Sequence, residues 1–222
     1  MNAHGPLRIE IFNDPMFQEN GLLVWRADFT DAWIIDPGLP PQPMNIAAAV
    51  HARGLTPTAI VLTHCHGDHI AGITPLRALL GPIPVTCPDG ELALLTSAVA
   101  NLSAGMGWPL ALPGAERIVR AGETLELAGL RWETRDVAGH SPGALAYYCA
   151  EASVAIVGDA VFAEGIGRYD FPHSDRRRLL DNIRTNILTL PDDVTVYSGH
   201  GPTATIGEIR THNHYLRWEL SQ

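Results

Sequence analysis

The stretch Thr63-His64-Cys65-His66-Gly67-Asp68-His69 sets four side chains of metal-ligand type within six residues, directly after the apolar run at 59–62. In an extended segment, His64 and His66 project to the same side of the chain. A turn at Gly67 then brings Asp68 and His69 round to the same point. Packing alone gives no reason to set three histidines beside an aspartate. The stretch therefore predicts a site that holds two adjacent metal ions.

Three later segments share one design, in which a strand-like run is followed by a glycine and then by a further candidate ligand. They are 135–138 before Gly139-His140, 154–157 before Gly158-Asp159, and 194–197 before Ser198-Gly199-His200. If these strands are neighbours, their ends converge on one edge of a sheet, and glycine lets the backbone turn close to the metals. The predicted set is then five histidines and two aspartates.

This donor set suits a particular chemistry. Neutral imidazoles and carboxylates favour borderline divalent ions, so zinc is the expected metal, with iron and manganese as alternatives. Two ions need one carboxylate that bridges them, and Asp159 is the candidate. Two ions about 3.5–4 Å apart share a hydroxide that is already ionised at neutral pH. The predicted nucleophile therefore requires no serine or cysteine.

Length and composition limit the remaining possibilities. The 222 residues, 46% of them hydrophobic, predict a single domain over 1–222. Fifteen basic against 24 acidic side chains give 15 − 24 = −9, a charge that repels nucleic acid and anionic membranes. The start of the chain resembles no secretory signal and no apolar segment is long enough to span a bilayer, so we expect a cytoplasmic protein. Three widely spaced cysteines predict no structural disulfide.

The pattern of apolar residues predicts an α/β or α+β fold of short strands and a few helices. Strands are expected at 8–12, 22–25, 33–35 and 59–62, and helices at 43–53, at 91–100 and from an N-cap at Ser174 to Pro191. In the last helix, residues 179, 180, 183, 187 and 190 form an apolar stripe that predicts core. A long loop at 101–114 is a candidate lid, through which Met106 and Trp108 would touch the substrate.

Taken together, these residues resemble the metallo-β-lactamase superfamily, and within it the short forms of glyoxalase II-like hydrolases. Beside the histidine-rich stretch, the resemblance rests on five phrases that span most of the chain. They are Ile34-Ile35-Asp36-Pro37-Gly38, Gly139-His140-Ser141-Pro142-Gly143, Gly158-Asp159, Gly165-Ile166-Gly167-Arg168-Tyr169-Asp170-Phe171 and Ser198-Gly199-His200-Gly201-Pro202. The resemblance implies an αββα sandwich of two facing sheets with helices outside, and metals at one edge of the sheets.

The resemblance also implies a role for each candidate ligand. His64, His66 and His140 would hold the first metal, Asp68, His69 and His200 the second, and Asp159 would lie between them. Asp68 and Asp159 are thereby implied as catalytic residues around a metal-bridging hydroxide. In such hydrolases this hydroxide attacks a thioester such as S-lactoylglutathione while the metals hold the developing oxyanion. A thiol with a pKa of about 8.5 leaves as thiolate without a general acid.

One part of the family pattern is absent. Full-length glyoxalase II proteins carry a helical C-terminal extension whose basic residues hold glutathione, whereas 22 residues follow His200 here. Arg210 and Arg217 lie in this tail, and arginines on a terminal helix are usually solvated surface. The substrate is therefore expected to be a small thioester, with glutathione as one candidate thiol carrier.

Other functions compete with the thioester hydrolase. The phrase Gly167-Arg168-Tyr169-Asp170-Phe171 also resembles persulfide dioxygenases, which would bind one iron through His64, His140 and Asp159. A lactonase or an RNA-processing nuclease would keep all seven ligands, although the nuclease conflicts with the charge of −9. The β-lactamases that share this motif usually lack the bridging aspartate and are secreted. A metal-binding protein without catalytic activity is the remaining alternative.

Three further expectations concern residues near these motifs. Cys65 points away from its neighbouring ligands and packs in the interior, because alternate side chains of a strand face opposite sides. His173 is the likeliest of the other histidines to approach the site, since its loop follows Asp159. Arg168 and Asp170 are expected to pair and to brace that same loop.

Overall fold

The structure of the chain, a computed structural model, describes residues 6–219; the first five residues, part of the segment that bears on localisation, lie outside that range. Two six-stranded sheets make up most of it. The first sheet has its strands in chain order, β1-β2-β3-β4-β5-β6. These strands are β1 (Leu7–Asn13), β2 (Asn20–Arg26), β3 (Asp31–Ile35), β4 (Thr56–Val61), β5 (Val85–Pro88) and β6 (Arg117–Val119). The first three are antiparallel, and β3 to β6 are parallel.

The second sheet is built from the rest of the chain. Its strands are β7 (Thr124–Leu127), β8 (Leu130–Asp136), β9 (Leu145–Cys149), β10 (Val154–Gly158), β13 (Thr195–Ser198) and β14 (Ala204–Thr205). The order is β14-β13-β10-β9-β8-β7, with β10 and β13 parallel and the other pairs antiparallel. A short hairpin of β11 (Val161–Phe162) and β12 (Gly165–Ile166) lies between β10 and β13 in the chain.

Helices lie between the strands. They are α1 (Gln42–Arg53), α2 (Gly67–Ile70), α3 (Ile73–Leu80), α4 (Leu92–Leu95), α5 (Arg176–Asn182), α6 (Ile206–His212) and α7 (His214–Glu219). Helix α1 ends at Gly54, which adopts the left-handed φ of 62° that favours glycine. Helix α6 begins with a capping box in which Thr205 and Glu208 satisfy each other's backbone N–H groups. No helix within residues 6–219 is long and apolar enough to cross a membrane.

Three clusters of buried apolar side chains define the layers. One joins the first sheet to α1 and α3, and includes Leu23, Ile46 and Leu76. The second lies between the two sheets, where the rings of Trp33 and Trp132 are 5.8 Å apart. The third joins the second sheet to the helices that follow it. The layer order is therefore helix, sheet, sheet, helix, which confirms the αββα sandwich.

Four predicted strands are present, with ends that differ by at most three residues from the prediction. The helix expected at 91–100 is wrong for most of its length, because only Leu92–Leu95 is α-helical. The reason lies in Asn101, whose side-chain amide donates to the carbonyl oxygens of Leu94 and Leu110. The carbonyl of Leu94 accepts from the backbone N–H of Ser97, three residues on, and from the Asn101 side chain, so the chain turns there instead of continuing as an α-helix.

The helix expected from an N-cap at Ser174 begins later than predicted. Asp175 is the N-cap, and its carboxylate accepts from the backbone N–H of Arg178. The Ser174 hydroxyl donates instead to the carbonyl of His140, so it braces a candidate ligand. The apolar stripe is confirmed as core, since all five of its residues are buried, but α5 passes into a π-helical turn at Ile183–Ile187 before Pro191.

Candidate metal centre

The seven candidate ligands come from four loops at one edge of the two sheets. His64 and His66 follow β4, and the short helix α2 carries Asp68 and His69. His140, Asp159 and His200 follow β8, β10 and β13. Strands β10 and β13 are neighbours as predicted, whereas β9 separates β8 from β10, which corrects that part of the prediction. Since β9 is antiparallel to both, β8 and β10 still point the same way and their ends meet at one edge.

Three of these residues form what we call the imidazole cluster: His64, His66 and His140. One ring nitrogen from each lies within 4.8 Å of the others. Nδ1 of His66 is 2.9 Å from Nε2 of His140, and the ring of His64 lies edge-on to both. All three side chains are buried. Ring nitrogens in this arrangement fit one metal ion with three nitrogen ligands.

Three others form the carboxylate cluster: Asp68, His69 and His200. Nε2 of His69 lies 3.9 Å from Asp68 Oδ2, and Nε2 of His200 lies 3.5 Å from the same oxygen. Asp68 and His69 are buried, and His200 is 24% exposed at its side chain. The cluster fits a second ion with two nitrogen ligands and one oxygen ligand.

Asp159 lies between the two clusters. Its Oδ1 is 3.5 Å from Nε2 of His69, and its Oδ2 is 3.6 Å from Nε2 of His140 and 3.4 Å from Nε2 of His200. One carboxylate thus reaches ring nitrogens of both clusters, which is the position that a ligand shared by two ions requires.

Hydrogen bonds at Nδ1 turn the Nε2 atoms of four imidazoles into the site. Nδ1–H of His140 donates to the carbonyl of Arg168, and that of His200 donates to the carbonyl of Phe17. Nδ1–H of His69 donates to Asp36, and Nδ1 of His64 lies 3.2 Å from the hydroxyl of Thr63. A partner at one ring nitrogen fixes both the tautomer and the orientation of the ring, and so prepares the other nitrogen for a metal.

Asp36 and Glu91 brace the ligand loops from behind. Asp36 accepts from the backbone N–H of Thr63 at 2.7 Å and from His69 at 3.2 Å, so it fixes the start of the histidine-rich stretch. The buried carboxylate of Glu91 accepts from the backbone N–H of Cys65, the hydroxyl of Ser141 and the backbone N–H of Gly143. Glu91 therefore joins the loop of His64 and His66 to the loop of His140.

Glycine is required at the predicted positions 158 and 199, next to candidate ligands. Gly158, next to Asp159, has a φ of 52°, which side chains rarely adopt. At Gly199, a Cβ atom would lie 2.1 Å from Asp159 Oδ1 and 2.7 Å from Cε1 of His69. Any side chain at 199 would displace a ligand, so the expectation that glycine lets the backbone approach the site is confirmed.

The two clusters differ in the pKa values of their histidines. Burial, aided by the neighbouring His140, lowers the pKa of His66 to about 3, and burial likewise lowers the pKa of His64 and of His140. Burial also acts to lower the pKa of His69, but Asp68 and Asp159 outweigh it and raise that pKa to about 10. The same two carboxylates raise the pKa of His200 to about 11 against the effect of burial.

Three buried atoms of the site have no hydrogen-bond partner in the described part of the chain. Nε2 of His64, Nε2 of His69 and Oδ1 of Asp159 are buried and accept or donate no hydrogen bond. Each such group costs about 1–3 kcal/mol if it stays unsatisfied. All three lie where the imidazoles and carboxylates meet, so these residues fit divalent metal ions.

Comparison with known proteins agrees with this geometry. The model of the metallo-beta-lactamase superfamily matches residues 15–200, a range that contains all seven candidate ligands. This chain belongs to the metallo-β-lactamase superfamily.

Three proteins whose names give different activities are similar to this chain. A hydroxyacylglutathione hydrolase, GloC, from Haemophilus influenzae is 32% identical over 95% of this chain and 98% of its own length. The mitochondrial persulfide dioxygenase of Homo sapiens is 31% identical over 94% of this chain and 75% of its own. The crystal structure of the B3 metallo-beta-lactamase BLEG-1 has a TM-score of 0.88, with 32% identity over 94% of this chain and 99% of that one.

The predicted site residues of this superfamily member also border an open cavity of about 350 Å³. Five ligands line it, whereas His64 and His69 lie fully buried behind them. Its other walls are mostly apolar and come from four segments of the chain. They are Phe17, Leu102, Met106, Phe162, Ile166, Arg168 and Phe171.

The outcome for the neighbouring residues is mixed. Met106 lines the cavity as predicted, whereas Trp108 packs behind it, with its ring 6.3 Å from that of Phe17. His173 is exposed and absent from the cavity wall, so the structure gives it no place at the site. Cys65 packs as predicted, with Sγ 3.6 Å from Sγ of Cys87, and both thiols are free.

Of the three arginines singled out from the sequence, Arg168 lines the cavity. Arg168 pairs with Asp170 as predicted, through two hydrogen bonds of 2.9 and 2.8 Å. Arg210 donates to the carbonyls of Leu188 and Leu190, so it fastens α6 to the preceding loop. Arg210 and Arg217 do not line the cavity.

The sequence did not predict that Asp36 and Glu91 support the ligand loops, nor most residues of the cavity wall. Asp36 was visible only as part of a family phrase, and its role depends on contact with residues 27 and 33 positions away. Glu91 gave no signal, because its partners are the distant Cys65, Ser141 and Gly143. Phe17 and Phe162 likewise come from separate loops that only the fold brings together.

Proposed function

We propose that this chain is a metal-dependent thioester hydrolase that uses two divalent ions, of which zinc is the expected metal and iron or manganese the alternatives. The carrying observation is Asp159, whose two oxygens reach ring nitrogens of both clusters and of which one has no hydrogen-bond partner. The donor set has five imidazoles and two carboxylates, and one of these carboxylates, Asp159, lies between two groups of ligands. Such a set suits two ions better than one.

The imidazole cluster would hold one ion and the carboxylate cluster the other, with Asp159 shared. Ions bound there would lower the pKa of a bound water, so that it is hydroxide near neutral pH, and would polarise the carbonyl that is attacked. The hydrogen bonds of His140 to Arg168 and of His200 to Phe17 keep two of the ligands facing the cavity. Asp68 and Asp159 also line the cavity, where their carboxylates can accept a hydrogen bond from the attacking water or hydroxide and orient it.

The cavity wall supports attack by water and not by a side chain. Among the described residues that line it there is no serine, threonine, cysteine or lysine. No general acid other than the ligands lies in that wall either. A thiolate leaves without protonation, since a thiol has a pKa of about 8.5, whereas an amine or alkoxide leaving group needs a proton. Thioesters are thus better matched to this wall than amides are.

A second candidate is the mononuclear iron persulfide dioxygenase, which the similarity to the human persulfide dioxygenase favours. It would use His64, His140 and Asp159 and leave His66, Asp68, His69 and His200 without a metal role. Against it stands Nε2 of His69, which is buried and would then remain without a partner. A lactonase of the same superfamily would share the proposed chemistry with a different leaving group.

An assay with three substrates tests the proposal. The metal-loaded protein should hydrolyse S-lactoylglutathione, the reference thioester suggested by the name of the Haemophilus relative, with release of free thiol. Oxygen uptake on glutathione persulfide should be absent, and lactones should be cleaved more slowly than thioesters. Oxygen uptake with one bound iron and no thiol release would replace the hydrolase by the dioxygenase.

We also propose that the protein works in the cytoplasm on a small molecule. In support, Cys65, Cys87 and Cys149 are free and buried thiols, which suits a reducing compartment.

A further inference from the structure

The cavity beside the metal ligands is walled mainly by apolar side chains. Six of its seven residues that are not candidate ligands are apolar, and three of those six are phenylalanines. A pocket of about 350 Å³ lies in the range of small-molecule sites, in which apolar walls select the substrate and a few polar groups orient it. The ligands supply the polar groups here, so the walls are left to select the rest of the molecule.

Aromatic rings border both clusters. The ring of Phe171 is 5.3 Å from that of His66 and 5.7 Å from that of His140, on the side of the imidazole cluster. The ring of Phe162 is 6.2 Å from that of His200, on the side of the carboxylate cluster. A carbonyl that is attacked between the clusters therefore has an aromatic wall on each side, one for the acyl group and one for the thiol.

Apart from the candidate ligands, the described cavity wall has one cationic side chain, Arg168, and that charge is already matched by Asp170. The Arg168 guanidinium is engaged at one edge and on one face: two of its N–H groups bind Asp170, and its central carbon lies 4.2 Å from the ring centre of Phe171. The chain contains 15 arginines and no lysine, so no lysine can approach from elsewhere. Glutathione brings two carboxylates and an ammonium group, and charges that lose water without new partners are costly.

We propose that the preferred thioester is uncharged and apolar on both sides of its carbonyl, and that a lactoyl group on glutathione is a poor substrate. The inference rests on the thioester hydrolysis proposed above. A cavity of about 150 Å³ holds benzene, so this one, of about 350 Å³, accommodates two groups of that size. An acyl chain of about six carbons with a neutral thiol fits this volume.

Four thioesters test the proposal with the metal-loaded protein. They combine a lactoyl or a hexanoyl group with glutathione or with neutral N-acetylcysteamine. We expect kcat/KM to be highest for hexanoyl-N-acetylcysteamine and lowest for S-lactoylglutathione. Within the N-acetylcysteamine series from acetyl to hexanoyl, kcat/KM should rise about threefold to fourfold for each methylene that becomes buried.

A matched pair of variants locates the effect in the cavity. Phe162→Ala removes an aromatic wall, and Phe29→Ala removes an exposed phenylalanine that does not line the cavity. Phe162→Ala should flatten the dependence on acyl length mainly through KM, with bound metal unchanged, whereas Phe29→Ala should leave it as in the wild type. Thioether analogues, which are not hydrolysed, should show the same order of binding by calorimetry on the metal-loaded protein.

The two proposals fail in different ways. Hydrolysis of S-lactoylglutathione at least as fast as of hexanoyl-N-acetylcysteamine, or no dependence on acyl length, overturns the apolar selectivity and leaves the thioester hydrolase standing. No thiol release from any of the four thioesters, with two ions bound, overturns the hydrolase itself.

Discussion

The imidazole cluster and the carboxylate cluster use the same residue type under opposite electrostatic conditions. His66 is surrounded by other imidazoles, and burial with His140 lowers its pKa to about 3. His69 is equally buried, yet Asp68 and Asp159 outweigh burial and raise its pKa to about 10. The difference shows that neighbouring charge, and not burial, decides which histidines hold a proton before a metal binds.

This difference has a consequence for metal binding. A histidine must be neutral to bind a metal, so ions displace protons from the carboxylate cluster and none from the imidazole cluster. The same carboxylates that raise the pKa of His69 and His200 also attract the cation. The imidazole cluster therefore needs little deprotonation to bind a metal, because the pKa of each of its histidines is lowered, and the carboxylate cluster binds more strongly as the pH rises.

Loss of the shared ligand should have the largest effect. Asp159→Ala removes the carboxylate that reaches both clusters and leaves His69 and His200 with one acidic neighbour fewer. We expect thioester hydrolysis to fall by at least about a thousandfold, with loss of bound metal measured by elemental analysis. Circular dichroism should stay unchanged, as should activity in the exposed control Asp28→Ala. Unaltered activity of Asp159→Ala would remove Asp159 from the site.

The pH should separate the clusters next most strongly. The raised pKa values, about 10 for His69 and about 11 for His200, mean that both hold a proton at neutral pH before metal binds. Affinity at the carboxylate cluster should thus fall as the pH falls, by up to about a hundredfold per pH unit while two protons are displaced. Affinity at the imidazole cluster should change little between pH 8 and pH 6, because the pKa of each of its histidines is lowered.

Calorimetry in buffers of different ionisation enthalpy measures the protons released with each ion. Release of the same number of protons with the first and the second ion would contradict the distinction between the clusters.

Asp36→Asn should weaken the carboxylate cluster more than the imidazole cluster. The amide cannot replace the carboxylate as charged acceptor for Nδ1–H of His69, whereas the imidazole cluster is linked to Asp36 only through Thr63, next to His64. We expect metal affinity at the carboxylate cluster to fall about 10-fold to 100-fold, and affinity at the imidazole cluster to fall by less. Competition with a chromogenic chelator gives both constants. Equal weakening of both ions would mean that Asp36 supports the whole loop and not His69.

Asp170→Asn should have the smallest effect. The side chains of Arg168 and Asp170 are 64% and 62% exposed, and exposed ion pairs contribute little to stability. The melting temperature should fall by no more than about 2 °C, with metal affinity unchanged. A loss of metal larger than the loss of stability would show that the pair acts through the carbonyl of Arg168 on His140, to which that ligand donates.

The sequence was sufficient to predict which candidate ligands come together, because their signals are local. His64 to His69 lie in one stretch, and His140, Asp159 and His200 each follow a strand and a glycine. The fold class was accessible for a related reason, since buried strands such as β10 read as continuous apolar runs.

What escaped prediction depends on distant partners. The helix expected at 91–100 stops at Leu95, where the Asn101 side chain binds the carbonyls of Leu94 and Leu110 and ties down a loop whose position the fold sets. Ser174 was the natural N-cap by residue type, yet the tertiary contact with His140 claims its hydroxyl and leaves the cap to Asp175. The cavity walls at Phe17 and Phe162 have no period or motif of their own.

The number of metal ions per chain tests the central claim most directly. Protein purified without added metal, then equilibrated with zinc at pH 8 and freed of excess, should hold two ions per chain by inductively coupled plasma mass spectrometry, and thioester hydrolysis should rise with the second ion. A fully active protein with one ion per chain, iron above all, would contradict the two-ion site and would leave the carboxylate cluster without its proposed role.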